Sequence, residues 1–172
     1  YRGHEVGEMG ALDLRDLRRK VSYVFQGGAL FDSMTVAENV GYSLVEHTQL
    51  GDKEIRERVI RCLAMVGLGL EHHPDILELM PAGLSGGMRK RVALARSIAL
   101  EPEVILYDEP TTGLDPANCK RIAYMIRKLQ HELGVTSVVV THDMPTAWYV
   151  ADRVAMLWDR SFPFVDAPDA FQ

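Results

Sequence analysis

The acidic pair Asp108-Glu109 directly follows an apolar segment at residues 104–107, and Pro110 ends that segment. Ligands of an open parallel sheet bind at the carboxyl ends of its strands, so both acids are well placed for chemistry. An aspartate there can hold Mg²⁺ in a phosphate site. The adjacent glutamate can orient or deprotonate a water molecule. A solvated acidic pair at a strand end is an equally good interpretation of these two residues taken alone.

Two other polar residues also follow apolar segments. His142 comes after residues 138–141, and Gln26 comes after residues 21–25. An imidazole near a transferring γ-phosphate can donate a hydrogen bond and stabilise the developing charge. The amide of Gln26 could reach a metal ion or a water molecule at the same sheet edge. Taken alone, a strand-end histidine is more often structural, and the glutamine is a weak signal.

A serine and two glycines, Ser85-Gly86-Gly87, stand at the start of a predicted helix. Ser85 can cap the helix, and glycines let backbone N–H groups approach an anion closely. The helix N-terminus adds partial positive charge, so a phosphate is the natural ligand. A plain turn with a serine cap is the alternative. The basic run Arg-Lys-Arg at residues 89–91 is interpreted as a solvated helix face.

The elements that would position these residues alternate between strand and helix along most of the chain. Strands are predicted at residues 21–25, 104–107, 135–140 and Val154–Trp158. Helices are predicted at residues 35–44, 52–66 and 75–80, from Gly87 to near Pro102, at Pro116–Leu133 and at 144–151. The alternation predicts an α/β fold, and the nearly continuous apolar strands predict a parallel sheet covered on both faces. Residues 35–82 are purely helical and read as an inserted helical subdomain.

Local signals set some of the element boundaries. Thr35 and Glu38 have the spacing of a capping box, so a helix should begin after Thr35. Gly67 should end the helix before it. Pro163 cannot donate a hydrogen bond to a strand ladder, so the last strand should be an edge strand or irregular.

The motifs are modest one by one, but their order along the chain is specific. They closely resemble, over nearly the whole chain, the ATP-binding subunits of ABC transporters. Gln26 matches the Q-loop, residues 84–88 (LSGGM) the LSGGQ signature, residues 104–109 Walker B with its catalytic glutamate, residues 113–115 the D-loop, and His142 the switch histidine. The resemblance implies a single P-loop NTPase-like α/β domain over residues 1–172. Residues 1–34 and 83–172 would be portions of its RecA-like core, and residues 35–82 its helical subdomain.

The resemblance also implies a division of labour around ATP and Mg²⁺. Gln26 and Asp108 would contact Mg²⁺ and its water molecules. Glu109 would act on the attacking water, and His142 would hold the γ-phosphate. The full protein is therefore expected to be an ATPase.

The remaining motif residues would act between subunits, since these ATPases work as head-to-tail dimers. Ser85, Gly86 and Gly87 would hold the γ-phosphate of ATP bound to a second ATPase subunit, and Asp115 would sit at the dimer seam. Closure of this dimer around ATP would power transport. The helical stretch after Gln26 would contact a transmembrane permease.

The fifth signature residue is Met88 instead of glutamine, and methionine cannot supply the hydrogen bonds of an amide. This LSGGM spelling, with FQGGALFDSMTV at residues 25–36 and EHTQL at 46–50, resembles the Mla-type ATPases of phospholipid transport. That branch implies an MCE-domain lipid-binding partner. It also implies a peripheral position on the cytoplasmic face of the bacterial inner membrane.

The chain contains no G-x-x-x-x-G-K-[ST] motif, whose backbone and lysine cradle the phosphates in this family. The motif would precede the Q-loop, so the sequence is interpreted as truncated before Tyr1. Alone, it is expected to bind ATP feebly or not at all and to be inactive. The alternative is a non-catalytic module that lends residues 84–88 to a partner's ATP. Retention of Glu109 and His142 argues against that alternative. Chromosome-maintenance ATPases are excluded, because no sustained heptads separate Gln26 from the signature.

Composition limits the remaining classes. The formal net charge of −5 argues against nucleic-acid binding. Cys62 and Cys119 make no disulfide framework and have no nearby metal-ligand pattern. The apolar runs are too short to span a bilayer, so any role at a membrane would be that of a peripheral subunit.

Overall fold

The structure, a computed structural model, describes Gly3 and residues 5–171. A strand tail and a turn are predicted from the sequence at residues 1–6, and Tyr1, Arg2 and His4 of that prediction lie outside the described residues. Val6 begins a short 3-10 turn, Val6–Glu8. The predicted α/β class is confirmed, because helices alternate with the strands of a parallel sheet.

Six α-helices and five β-strands make up the described part of the chain, with 3-10 turns between several of them. The helices are α1 (Ala11–Lys20), α2 (Val36–His47), α3 (Asp52–Met65), α4 (Gly86–Ile98), α5 (Pro116–Leu133) and α6 (Met144–Val150). The strands are β1 (Val21–Val24), β2 (Val104–Asp108), β3 (Thr136–Val140), β4 (Val154–Trp158) and β5 (Ser161–Asp166).

Strands β1, β2 and β3 form a parallel sheet in the order β1-β2-β3. Tyr23, Leu106 and Val138 lie side by side in this register. All three strands therefore end at the same sheet edge, where the residues that follow them can meet.

The prediction that β4 belongs to the same parallel sheet is wrong. Strand β4 pairs antiparallel with β5 in a separate two-stranded sheet, which we call the hairpin. Its turn residues Asp159 and Arg160 have φ of 43° and 60°, a conformation that suits a tight hairpin connection. Local pairing through this turn therefore gives β4 its partner.

The predicted burial of both sheet faces is also wrong for the described residues. Ile105 and Tyr107 of β2 are buried on one face. On the other face Tyr23, Val138 and Val140 are 44%, 48% and 61% exposed. An apolar strand is thus compatible with one covered face, and its sequence does not indicate how many faces are covered.

The irregularity predicted from Pro163 is confirmed. Both strands of a two-stranded sheet are edges, and the β4–β5 register shifts between Met156 and Trp158. Proline is tolerated there because an edge strand can turn its missing donor away from its partner.

The covered face of the parallel sheet shares one core with the helices. Side chains from α2, α3, α4 and α5 join β2 in a single buried cluster that includes Leu44, Leu63, Val92, Ile105 and Leu129. The helical stretch after β1 is therefore packed into the same core that positions the strand ends.

The predicted capping box is present, because Thr35 Oγ1 accepts the Glu38 N–H and a Glu38 carboxylate oxygen accepts the Thr35 N–H. Gly67 follows α3 with a φ of 68°, as expected of a residue that ends a helix. The helix predicted at residues 75–80 is a 3-10 turn, Ile76–Glu78. No described helix is both long and apolar enough to cross a membrane.

Candidate active site

The residues that follow β1, β2 and β3 converge at the carboxyl edge of the parallel sheet. Asp108 is the last residue of β2 and pairs in register with Val140 of β3. Glu109 follows directly, and its backbone N–H donates to the Val140 carbonyl at 2.9 Å. This bond extends the ladder by one residue and brings Glu109 close to the loop after β3.

Glu109 and His142 are in direct contact. His142 Nδ1 lies 2.7 Å from Glu109 Oε1, and the His142 backbone N–H donates to the same oxygen at 3.1 Å. The hydroxyls of Thr112 and Thr141 donate to Glu109 Oε2 at 3.0 and 3.4 Å. The carboxylate is therefore fixed by four contacts, which sequence reasoning anticipated only as a shared sheet edge.

These contacts favour the charged forms of both groups. Partial burial alone would raise the pKa of Glu109, but the hydrogen bonds from His142 and Thr112 hold that pKa below its usual value. The hydrogen bond to Glu109 raises the pKa of His142. The Glu109 side chain is 19% exposed and that of His142 80%, so the carboxylate is sheltered and the ring faces solvent. An ionised carboxylate of this kind can accept a proton from water.

Asp108 is bonded to a residue that sequence reasoning missed. The Tyr23 hydroxyl donates to Asp108 Oδ2 at 3.0 Å, and this bond raises the pKa of Tyr23. The only sequence signal for Tyr23 is its place in β1, beside β2. Within Gly3 and residues 5–171, no cluster of three or more His, Cys, Asp or Glu side chains suits a metal ion. One strand-end carboxylate nevertheless fits Mg²⁺, which uses few protein ligands when phosphates complete its shell.

Gln26 is held at the same edge through its backbone. Its carbonyl accepts a short hydrogen bond from Lys90 Nζ of α4. The interpretation of residues 89–91 as a solvated face is wrong for Lys90, which is only 8% exposed, whereas Arg89 is exposed as expected. Arg91 binds the Gly67 carbonyl at 2.9 Å, and Arg89 binds the Leu84 carbonyl at 2.6 Å. Each of the three basic side chains therefore donates to a backbone carbonyl of a neighbouring loop.

The signature residues form a capped helix start, as predicted. Ser85 Oγ accepts the Met88 N–H at 3.2 Å, and α4 begins at Gly86. A Cβ atom built on Gly87 would lie 3.0 Å from Asn118 Oδ1, so a larger residue here would require the Asn118 side chain to shift slightly. Met88 packs against the core.

Asp115 has a structural task in addition to the predicted one. Its carboxylate caps α5 by accepting the backbone N–H groups of Ala117 and Asn118 at 3.0 and 3.1 Å, and it accepts the Asn118 side-chain amide at 2.5 Å. The bonds from Asn118 hold the pKa of Asp115 below its usual value.

The candidate residues thus fall into two groups. The edge group is Gln26, Asp108, Glu109 and His142, and the signature group is Ser85, Gly86, Gly87 and Asp115.

Comparison with known proteins agrees with this geometry. Residues 1–112 match the sequence model of the ABC transporter family. The intermembrane phospholipid transport system ATP-binding protein MlaF of Escherichia coli is 41% identical over 172 residues, which are 100% of this chain and 62% of MlaF. The probable ribonucleotide transport ATP-binding protein mkl of Mycobacterium bovis is 38% identical over 158 residues, 92% of this chain and 43% of mkl. The chain therefore spans less than two thirds of either relative.

The similarity extends to solved structures. The dimeric post-hydrolysis state of the ATP-binding cassette MJ0796, bound to ADP and Pi, is 32% identical with a TM-score of 0.83. That match covers 98% of this chain and 72% of the other. The likeness to MlaF confirms the predicted resemblance to Mla-type ATPases. Since fold, motifs and sequence similarity agree, the chain belongs to the ABC transporter family, as one of its ATP-binding cassettes.

Proposed function

We propose that this chain is part of an ATP-hydrolysing subunit that powers a bacterial ABC transporter. The observation that supports this most directly is the contact between Glu109 and His142 at 2.7 Å, at the carboxyl edge of a parallel sheet. A carboxylate held in its ionised form beside an exposed imidazole has the composition of a water-activating and phosphate-binding pair.

In this proposal Glu109 is the general base of hydrolysis. Its lowered pKa keeps the carboxylate ionised at neutral pH, so it can accept a proton from the attacking water. His142 uses Nδ1 for Glu109, and its other ring nitrogen can donate to an oxygen of the γ-phosphate. The raised pKa of His142 increases the population in which both ring nitrogens carry protons.

Gln26 and Asp108 are proposed to hold Mg²⁺ and its water molecules. Mg²⁺ would supply charge neutralisation on the phosphate oxygens. Tyr23 would orient Asp108 through the hydroxyl bond at 3.0 Å. A hydrogen-bonded carboxylate keeps one orientation, which favours a fixed ligand geometry.

The signature group is proposed to act on the ATP of a second copy of the subunit. Ser85, Gly86 and Gly87 form the N-terminus of α4, where backbone N–H groups and the helix dipole favour a γ-phosphate. Asp115 would lie at the seam between the copies, and closure of the dimer around ATP would drive transport. The dimeric state of the similar cassette MJ0796 supports a dimer.

We propose one domain over residues 1–172, in which residues 35–82 form a helical subdomain. Residues 1–34 and 83–172 would be portions of the RecA-like core. Helices α2 and α3 in the middle stretch and strands β1 to β3 outside it support this division. The helical subdomain would contact a transmembrane permease.

The proposed cargo is phospholipid, with an MCE-domain protein as a further partner. The support is MlaF, an intermembrane phospholipid transport ATP-binding protein that is 41% identical to this chain. The subunit would then bind peripherally at the cytoplasmic face of the inner membrane. The relative mkl, described as a probable ribonucleotide transport protein, makes the cargo an experimental question.

The ATPase proposal is tested with Glu109→Gln in the full-length protein, assembled with its permease. Loss of a general base should lower the hydrolysis rate by about 100-fold or more. Glu132→Gln is the matched control, since Glu132 lies near the end of α5 and pairs with Lys128 at 3.8 Å. Undiminished hydrolysis by Glu109→Gln would refute the role of Glu109 and favour a non-catalytic module that donates residues 84–88.

The cargo is tested by purifying the assembled complex and identifying what accompanies it. Recovery of an MCE-domain protein and bound phospholipid would support lipid transport. Recovery of a solute-binding protein specific for a small molecule would refute it and leave the ATPase proposal standing.

A further inference from the structure

One buried cation lies between the two groups of candidate residues. Lys90 is 8% exposed and projects from α4, one helical turn after Gly86. Its ammonium donates a short hydrogen bond to the Gln26 carbonyl and has a longer contact, 3.5 Å, with the Glu109 carbonyl. A single side chain of the signature helix therefore touches the backbones of two residues of the edge group.

Burying the Lys90 ammonium costs free energy, which is not expected of a side chain that only fills space. A buried ammonium loses its hydration, so it requires partners that water would otherwise supply. Burial lowers the pKa of Lys90, and the nearby carboxylates of Glu109 and Asp108 counteract that shift. The charged form is thus supported by the same acidic pair that the proposed chemistry uses.

The backbone of Glu109 requires outside support. Its φ is 45°, in the left-handed region that non-glycine residues rarely adopt. The Glu109 N–H is bonded to the Val140 carbonyl at 2.9 Å, and the Glu109 carbonyl faces Lys90. Strained conformations persist only where the surrounding contacts determine them.

A second cation of α4 strengthens the link to the loop after β1. Arg96 donates to the Gly28 and Ala29 carbonyls at 2.7 and 2.8 Å. Lys90 and Arg96 together bind three carbonyls within residues 26–29. This loop should therefore follow α4 when the helix moves.

We propose that Lys90 is a positioning residue that couples the signature loop to the catalytic edge of the same chain. A phosphate bound at Ser85–Gly87 fixes the N-terminus of α4, and Lys90 transmits that position to the backbones of Gln26 and Glu109. The inference rests on the proposed ATPase function. It adds a route by which one subunit's signature loop sets the geometry of its own hydrolytic residues.

Two variants separate the charge of Lys90 from its volume. Lys90→Met keeps an unbranched stem and removes the ammonium, whereas Lys90→Arg keeps a cation with several donors. Arg91→Met is the control, because Arg91 is the next residue of α4 but binds the Gly67 carbonyl, away from the sheet edge. Measurements are kcat, KM for ATP and Tm, in the full-length protein with its permease.

Lys90→Met is expected to lower kcat by about 10- to 100-fold, the range for a displaced catalytic group. KM for ATP should change by less than about threefold, since ground-state binding is not removed. Its Tm should stay level or rise, because an apolar side chain replaces a buried charge. Lys90→Arg should recover part of kcat, and Arg91→Met should keep kcat within about twofold of wild type.

The inference is overturned if Lys90→Met hydrolyses ATP at the wild-type rate. It is equally overturned if Lys90→Met and Arg91→Met lose activity and Tm in parallel, which indicates helix packing alone. Glu109→Gln, measured beside them, tests the proposed function separately. An inactive Glu109→Gln with a fully active Lys90→Met would reject only the coupling by Lys90.

Discussion

The loop at residues 26–35 and the hairpin of β4 and β5 are held in place by different kinds of contact. The loop contains neither helix nor strand, yet Lys90, Arg96 and Asn39 bind its backbone. The hairpin has an antiparallel ladder with one register shift, but its apolar side chains face outward, with Leu157 and Trp158 65% and 68% exposed.

The difference separates two properties, hydrogen bonding within a secondary-structure element and attachment of that element to the rest of the fold. Pairing between β4 and β5 supplies backbone partners within the hairpin but gives it little buried surface. The irregular loop has carbonyls bonded to side chains of α2 and α4, of which Asn39 and Lys90 are buried. We therefore expect the loop to be the more strongly fixed of the two, although it has no regular secondary structure.

The largest expected effect is that of Asn39→Ala. Asn39 is fully buried; its side-chain oxygen accepts the Phe31 N–H at 2.8 Å, and its amide donates to the Phe31, Met34 and Thr35 carbonyls at 3.0–3.1 Å. Removing it leaves several buried groups without a partner, so the free energy of unfolding should fall by about 3 kcal/mol. Denaturant unfolding of the 172-residue chain measures this loss.

Ser161→Ala is the matched control within the hairpin. Ser161 Oγ donates to the Trp158 carbonyl at 2.9 Å, but this bond is exposed. Its removal should change the free energy of unfolding by less than about 0.5 kcal/mol. Equal losses for Asn39→Ala and Ser161→Ala would show that the loop is not held by buried side chains.

An effect of intermediate size is expected on the titration of the Glu109–His142 pair, in which the carboxylate is sheltered and the imidazole is exposed. The hydrogen bond with Glu109 raises the pKa of His142, so its NMR titration midpoint should lie above the ordinary 6.5. Glu109→Gln should return the midpoint toward that value, and Glu132→Gln should leave it in place. A wild-type midpoint that does not move in Glu109→Gln would contradict the contact.

The pKa shifts of His142 and Glu109 determine how the free energy of unfolding changes with pH. Because its pKa is raised, His142 contributes to the free energy of unfolding, and this contribution is lost as pH rises through its folded-state pKa. The lowered pKa of Glu109 gives a contribution that is lost as pH falls through the folded-state pKa of Glu109. Both contributions are therefore fully present between the ordinary pKa values of the two groups, 4.5 for Glu109 and 6.5 for His142.

The smallest effect is expected from Leu157→Ser in β4. This side chain is 65% exposed, so its removal should change the free energy of unfolding of the 172-residue chain by less than about 0.5 kcal/mol. Denaturant unfolding provides the measurement. A loss above about 1 kcal/mol would mean that the hairpin is packed more firmly than its exposure indicates.

The edge group was predictable from sequence because strand ends are local signals. Asp108, Glu109 and His142 each follow an apolar run, and parallel strands bring such positions together. The helix caps formed by Ser85 and Thr35 were equally predictable, since capping depends on residues three positions apart.

Lys90 and the hairpin could not be predicted in this way. The run at residues 89–91 has the composition of an exposed face, and only the tertiary approach of α4 to the loop at residues 26–35 buries Lys90. The apolar run of β4 equally fits a parallel strand, and its pairing with β5 depends on the backbone of Asp159 and Arg160. Helix α1 has no buried residues, and its charged sequence was not predicted to be helical.

The φ of 45° at Glu109 implies a conflict between folding and activity at a single position. Glycine would adopt that backbone conformation more easily, and relief of the strain is worth roughly 1 kcal/mol. Glu109→Gly would relieve this strain, but it would also remove the carboxylate that His142, Thr112 and Thr141 contact and that the proposed hydrolysis requires. At this position the side chain that strains the backbone is the one to which the proposed chemistry is assigned.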